Sequence, residues 1–401
     1  MVIYNPFVPS YRESPYRQLA RLRERDPVHR SGALQAWVCT RYEDCYRILR
    51  DAEAFSSDAR TARGQLADAL QEQRRTSPLG EVRMVLTSDP PDHTRLRGIV
   101  NRAFTTRRVA ELRPRIEEIA TALLREVPAG AEWELMAGLA QPLPVIVIAE
   151  LLGVPPDDRD RFKRWSNALA ATTSLVQSRA TQEEARRATV ELVDYFNAIV
   201  AERRAEPRDD LLSALVQAEE EGRRLSHVEV LAFAILLLVA GNETTTNLIG
   251  NGTLALLAHP EQVQGLRERP ALRPAAIEEM LRYDSPVQGV VRFARHAVEV
   301  GGVAMAAGDI VLAMIGGANR DPGQFADPER FDVERAENRH LSFGMGPHFC
   351  LGAPLARLEA DVAFGALLER FPALRLGEGG AERGGTFLLR GPARVSLAVD
   401  A

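Results

Sequence analysis

Lysine is almost missing from this chain. Lys163 is the only one, so nearly all of the 50 basic residues are arginines. Set against 55 acidic residues, they leave a formal net charge of −5, which argues against a nucleic-acid binder driven by counterion release. The arginine bias reads as genome composition before function, although arginine is also preferred where carboxylates or phosphates are gripped. Cysteine is scarce too: Cys39, Cys45 and Cys350. An odd, low count excludes a disulfide scaffold and fits a reducing cytosol. No internal repeat, low-complexity linker, or flavin or iron–sulfur segment is apparent. Met1–Ser10 carries no apolar signal core. The longest apolar run, Val230–Ala240, is too short to span a bilayer. These absences lead to the expectation of a soluble cytoplasmic protein without a membrane anchor.

What is present suffices for a large core. The chain has 401 residues, 45% of them apolar and 26% charged, which excludes wholesale disorder. Short β-prone segments flank Ser31–Gly32, notably around Trp37–Thr40. Helical patterning then runs from about Tyr42 to Tyr283, broken at Asp89-Pro90-Pro91 and Pro155-Pro156. From Val287 to Met314 the chain reads as strands, with Gly301-Gly302 as a hairpin turn. Residues 319–338 form a turn-rich loop, a length that in a compact domain is often functional. Leu351, Leu355, Leu358, Val362 and Phe364 then fit a helix. Phe387–Leu389 and Val395–Val399 are β-prone. The expected fold is mainly α with a smaller β-rich region.

Four segments carry chemistry. The first is Phe343-Gly344-Met345-Gly346-Pro347-His348-Phe349-Cys350-Leu351-Gly352. A lone cysteine is more often a small buried hydrophobe than a ligand. Here it ends a glycine-rich loop directly before a helix start, whose free N–H groups and dipole favour a thiolate. Such a thiolate is suited to be the axial ligand of haem iron. The second is Ala240-Gly241-Asn242-Glu243-Thr244-Thr245, an acid and hydroxyls inside the apolar helical stretch Val228–Leu257. A buried charge is costly unless paired or solvated, and threonine can bond back to the carbonyl one turn earlier and open the helix. The alternative is a plain threonine-rich stretch with Glu243 facing water. The third is Glu279-x-x-Arg282, an ion pair on one helix face; the same spacing at Glu183/Arg186 and Glu220/Arg223 reads as a solvated surface. The fourth is Asp89-Pro90-Pro91-Asp92-His93-Thr94-Arg95-Leu96-Arg97. Asp89 and Pro90 read as N-cap and first helical residue, with His93 and Arg97 one turn apart and able to reach one anion.

In this order and spacing the four segments resemble the cytochrome P450 family, of soluble bacterial type, and the resemblance covers essentially the whole chain as one domain, 1–401. It implies haem b (iron protoporphyrin IX) with Cys350 as the metal ligand. His93, Arg97, Arg292 and His348 would contact its propionates, and Phe343, Gly344 and Gly352 would shape the cysteine loop. It implies Glu243 and Thr244 as the acid–alcohol pair delivering protons to oxygen, with Gly241 permitting close approach. Glu279 and Arg282 would form a structural trio with Arg330, in Pro328-Glu329-Arg330-Phe331. The substrate pocket would be lined by Phe233, Leu237, Ala240, Val287, Val290, Val291 and Phe387, an apolar set suited to a steroid, terpenoid, fatty acid or macrolide precursor. Its walls would span Ser57–Leu86 and Trp165–Val193, and Phe162–Val193 would form a mobile lid.

The implied activity is monooxygenation by O2, hydroxylation or epoxidation, in a monomer fed by a ferredoxin or flavodoxin. Arg102, Arg107 and Arg108 offer a candidate docking face. Rival readings are a peroxide-driven peroxygenase or nitric-oxide reductase on the same fold, and a non-catalytic haem sensor. The intact Glu243–Thr244 pair favours the O2 route over each.

Overall fold

The computed structural model describes residues 4–64, 82–125, 130–171, 178–220 and 222–399, with 68, 71, 72, 75, 79 and 127 between them. Helices dominate from Tyr42 to Tyr283, as the patterning predicts. Their centre is one helix, His227–Ala258, against an expected Val228–Leu257. Ser226 begins it with a reciprocal capping box: its side chain accepts the Glu229 N–H while the Glu229 carboxylate accepts the Ser226 N–H. Glu229 also pairs with Arg95, fastening this end to the Asp92–Ala103 helix.

By length and composition the central helix would cross a bilayer, although Val230–Ala240 alone would not. Here it forms the core instead. Half of its most apolar window is buried, and the helices Pro142–Leu151, Arg159–Ala170, Arg179–Ala205, Arg273–Tyr283 and Ala353–Arg370 pack around it. Leu231, Leu238, Leu248, Ile249 and Leu256 lie within the resulting apolar cluster. The threonines do not open the helix, which runs unbroken through residues 240–245.

Two sheets flank this bundle. One orders its strands Val28–Ser31, Ala36–Cys39, Ile310–Ala313, Val290–Ala294 and Phe55–Ser56. All neighbours are antiparallel except Ala36–Cys39 with Ile310–Ala313. The predicted hairpin joins Val298–Val300 to Val303–Met305, with both glycines at positive φ. The second sheet pairs Leu376–Gly385 with Arg390–Ala398, and the latter with Glu132–Glu134. Phe387–Leu389, expected as a strand, is the turn between the first two, leaving only an isolated bridge from Leu389 to Val287. The 319–338 loop is irregular as expected, and it wraps the Arg273–Tyr283 helix.

Candidate active site

Cys350 stands between loop and helix. Its N–H donates to the Phe343 carbonyl at 2.8 Å, closing the loop, and the helix Ala353–Arg370 starts just beyond with Gly352 as its cap. Gly344 and Gly346 have φ of 71° and 70°, the left-handed region that favours glycine. A side chain at Gly346 would also strike the backbone of Arg50, 2.8 Å from its Cβ position. Gly352 needs no such freedom; a Cβ there would rest 3.9 Å from the cysteine sulfur. The N–H groups of Gly352 and Ala353 point at Sγ, as a helix start should. Burial nevertheless raises the thiol pKa above its ordinary value, and those N–H groups, Arg97 and Arg357 only oppose it. The expectation of a ready-made thiolate is therefore corrected: desolvation outweighs the helix terminus. Metal coordination would remove the proton outright.

Facing the loop is a basic cradle. The rings of His93 and His348 lie with centroids 4.1 Å apart, tilted by 45°, and the Nε2 of each is buried without a partner among the described residues. Arg292 was legible from the resemblance alone; by itself it reads as an exposed strand residue, yet it is 7% exposed. Its Nη1 donates only to the Val291 carbonyl, at 2.9 Å, and burial pulls its pKa down to about 10. Arg97 donates to Asn101 at 3.2 Å and is likewise lowered by burial. Burial, with Arg292, His93 and Arg97 near, drives His348 down to about 3. Buried donors left unpaired are costly, so this cluster fits two carboxylates. No group of three or more His, Cys, Asp or Glu that could hold a bare ion occurs among the described residues. One sulfur plus a cradle for two acids matches a metal carried in a dicarboxylate macrocycle. Asp89 does not cap the helix below. That helix is Asp92–Ala103, and the Asp89 carboxylate turns to Ser56, the Ser57 N–H and Arg295.

On the central helix, the Thr244 hydroxyl donates to the Ala240 carbonyl at 2.8 Å. Glu243 has a buried Oε2 without a partner, and burial lifts its pKa to about 7. Gly241 is placed differently from expectation. A Cβ there would sit 2.4 Å from Ile148 Cδ1, so its bareness lets the Pro142–Leu151 helix pack close. A second acid escaped the sequence reading. Glu359 is 1% exposed, and burial pushes it to about 8 although Thr245 nearby pulls it the other way. It falls nine residues after Cys350 on an apolar helix face, where a glutamate is out of pattern; that was the available signal.

Glu359 has a pH consequence. A carboxyl whose folded pKa exceeds its unfolded value destabilises the fold increasingly as pH rises from about 4.5 to about 8. Glu359→Gln should therefore gain stability over the parent at pH 8, on the order of a few kcal/mol, and not at pH 4. Urea midpoints at the two pH values check this.

Glu279 and Arg282 are both wholly buried and joined by two bonds, 2.7 and 2.8 Å. The third member is not Arg330, whose side chain is 65% exposed and contributes only its backbone oxygen to Arg282. Arg335 takes that place, with Nε 3.1 Å from Glu279 Oε2.

Of the expected pocket residues, Phe233 lines a small hollow with Met84, Val85, Leu96 and Leu236. Leu237, Val287, Val290 and Val291 are half-buried and Ala240 is exposed. Phe387 lies elsewhere: it packs on Phe7 and borders a separate cavity of about 220 Å³ with Tyr11, Gln288 and Arg390. Most of 65–81 in the expected pocket wall, and 172–177 in the expected lid, lie outside the described residues. The described flanks of that lid are tied together, Trp165 donating to Glu191 at 2.7 Å. Arg107 and Arg108 of the candidate docking face pair with Glu111 and Asp209.

Fold and site together define a haem-thiolate enzyme. The Cytochrome P450 family model matches residues 160–379. The chain is 46% identical over 378 residues to Cytochrome P450 107B1 of Saccharopolyspora erythraea, covering 92% of this chain and 91% of that one. It is 42% identical over 377 residues to Vitamin D(3) 25-hydroxylase of Pseudonocardia autotrophica, covering 93% and 90%. The solved structure of the polyketide biosynthesis cytochrome P450 PksS of Bacillus subtilis superposes with a TM-score of 0.90 at 39% identity, covering 100% of both chains. The chain belongs to the cytochrome P450 family, of bacterial type, and is a haem-dependent monooxygenase.

Proposed function

We propose that this enzyme inserts one atom of O2 into a C–H bond, or epoxidises a double bond, of a medium-sized lipophilic molecule. Two electrons and two protons reduce the second oxygen atom to water, and the electrons come from a ferredoxin or flavodoxin. When bound, the haem supplies oxygen activation and the atom transfer. The chain's residues hold it and move protons. Cys350 would bind its metal, and His93, Arg97, Arg292 and His348 would hold its two carboxylates.

The observation that carries the O2 reading is Glu243, a buried carboxyl whose Oε2 has no partner among the described residues and whose pKa burial lifts to about 7, one residue before Thr244 on the central helix. An acid of that pKa is protonated often enough to donate and ionised often enough to be refilled. Glu359, on the helix Ala353–Arg370 that packs against the central helix, is a second buried carboxyl with a raised pKa. A steroid-like or polyketide-like guest is favoured by what the vitamin D(3) and polyketide relatives are named for.

We read 1–401 as one domain, since the Arg12 and Glu13 carbonyls accept from Arg390 near the opposite end of the chain. A cytoplasmic, unanchored monomer fits the packing of its long apolar helix and its free cysteines. Turnover in ¹⁸O2 with a ferredoxin and its reductase should place one labelled atom in product. Product from hydrogen peroxide alone, with none from the redox partner, would overturn the reading in favour of a peroxygenase.

A further inference from the structure

One ion pair near the cysteine has no part in the arrangement above. Arg357 lies on the first turns of the helix that follows Cys350, and its guanidinium sits 4.5 Å from the centroid of the Phe343 ring. Phe343 is the residue whose carbonyl accepts the Cys350 N–H. Its Nε and Nη2 donate two parallel bonds to the Glu278 carboxylate, at 2.7 and 2.8 Å, which fix the plane of that guanidinium. His340 closes the outer side at 3.1 Å from Glu278, and its ring is 6.0 Å from Phe343. Arg357 is 39% exposed, and the fork holds in one orientation a side chain that would otherwise wander in solvent. The positive end faces the cysteine loop, and the field of Arg357 reaches the sulfur.

We infer that Arg357, oriented by Glu278 and stacked on Phe343, is a positioning residue that sets the electrostatic potential at the Cys350 sulfur and hence the reduction potential of the bound haem. The inference rests on Cys350 being the axial donor. Reduction adds one negative charge to the metal–sulfur unit. A nearby fixed cation stabilises the reduced form, and a carboxylate opposes it. Glu278 is firmly ionised: burial would raise its pKa, but the bonds from Arg357 and His340 bring it down to about 2. The pair is therefore an oriented dipole with its positive end inward. Arg97 also acts on the sulfur but is committed to the cradle, so Arg357 is the group free to tune it.

The two partners of one ion pair give a test that a structural role cannot imitate. Both substitutions break the same contact, so a scaffold role moves the potential the same way in both. An electrostatic role moves it in opposite directions. Spectroelectrochemical titration of the haem-loaded enzyme, without redox partner, reads this directly. Arg357→Met should lower the ferrous-to-ferric ratio at fixed poise by about tenfold, a shift of about 59 mV for one electron. Glu278→Gln should raise the ratio, and Arg357→Lys should stay near the parent because it keeps the charge. Shifts of the same sign in Arg357→Met and Glu278→Gln, or no shift in either, overturn the inference while leaving the ligand assignment intact. A parent whose reduced carbon monoxide complex lacks a red-shifted Soret band would overturn both.

Discussion

Glu279→Ala should cost this protein about 3–5 kcal/mol of stability, the range for breaking a buried ion pair by removing one partner. The reason is what stays behind. Arg282 is 0% exposed, and its five N–H donors are all committed: to both Glu279 oxygens and to the carbonyls of Asn319, Pro328 and Arg330. The same carboxylate accepts from Arg335, the Asp332 N–H and Asn338. Deleting it strands two guanidinium groups beside the 319–338 loop and frees the path that leads to the cysteine. The loss should appear in urea midpoints and as faster haem release. The neighbouring arginines separate this account from its sequence-based version. Arg330→Ala should fall within about 0.5 kcal/mol of the parent, as exposed positions do. Arg335→Ala should cost clearly more. Equal effects at the two positions would contradict the trio described here.

Thr244→Ala should leave haem content and substrate binding unchanged while severing electron use from product. A positioned proton donor is worth about 10²–10⁴-fold, so product per electron pair should fall about tenfold or more, with hydrogen peroxide appearing in its place. The resting geometry says how the hydroxyl works. Its single proton is spent on the Ala240 carbonyl at 2.8 Å, so to any other partner it presents lone pairs. It first accepts a bond, then donates only by exchanging that helical partner. Glu243, lifted by burial to about 7, is the acid one residue earlier in the chain. Coupling in the parent should therefore decline as pH rises through about 7, where the protonated fraction is lost, and Glu243→Gln should abolish that slope. Peroxide and product yields measured from pH 6 to 8 decide the matter. A Thr244→Ala enzyme as well coupled as the parent would remove threonine from the relay.

The sequence carried the parts of this site that are set by short-range rules. A glycine-rich loop ending in cysteine before a helix needs only ten residues to announce itself. The apolar stretch alone bounded the central helix to within a residue at each end, and the Ser226 cap that starts it became visible only in the structure. The hairpin around Gly301-Gly302 follows from its turn residues alone. What escaped depends on which of several similar residues the fold turns inward. Arg330 and Arg335 share an irregular loop with no periodicity to rank them, and only the packed loop puts one in solvent and the other on Glu279. Asp89 had the composition of a helix cap but was claimed by Ser56, Ser57 and Arg295 from distant segments. Gly241 looked like a concession to a ligand and proved to be one to Ile148. The cysteine pKa was misjudged because a helix terminus is visible in sequence and desolvation is not. Burial of Glu359 was hidden for the same reason.

The claim beneath all of this is that the sulfur of Cys350 binds the haem metal. The reduced carbon monoxide spectrum tests it most directly, since thiolate ligation moves the Soret band far to the red and histidine ligation does not. The parent should show the red-shifted band and Cys350→Ala should lose it. A parent band in the histidine-ligated position, or a red-shifted band that survives Cys350→Ala, would contradict the account.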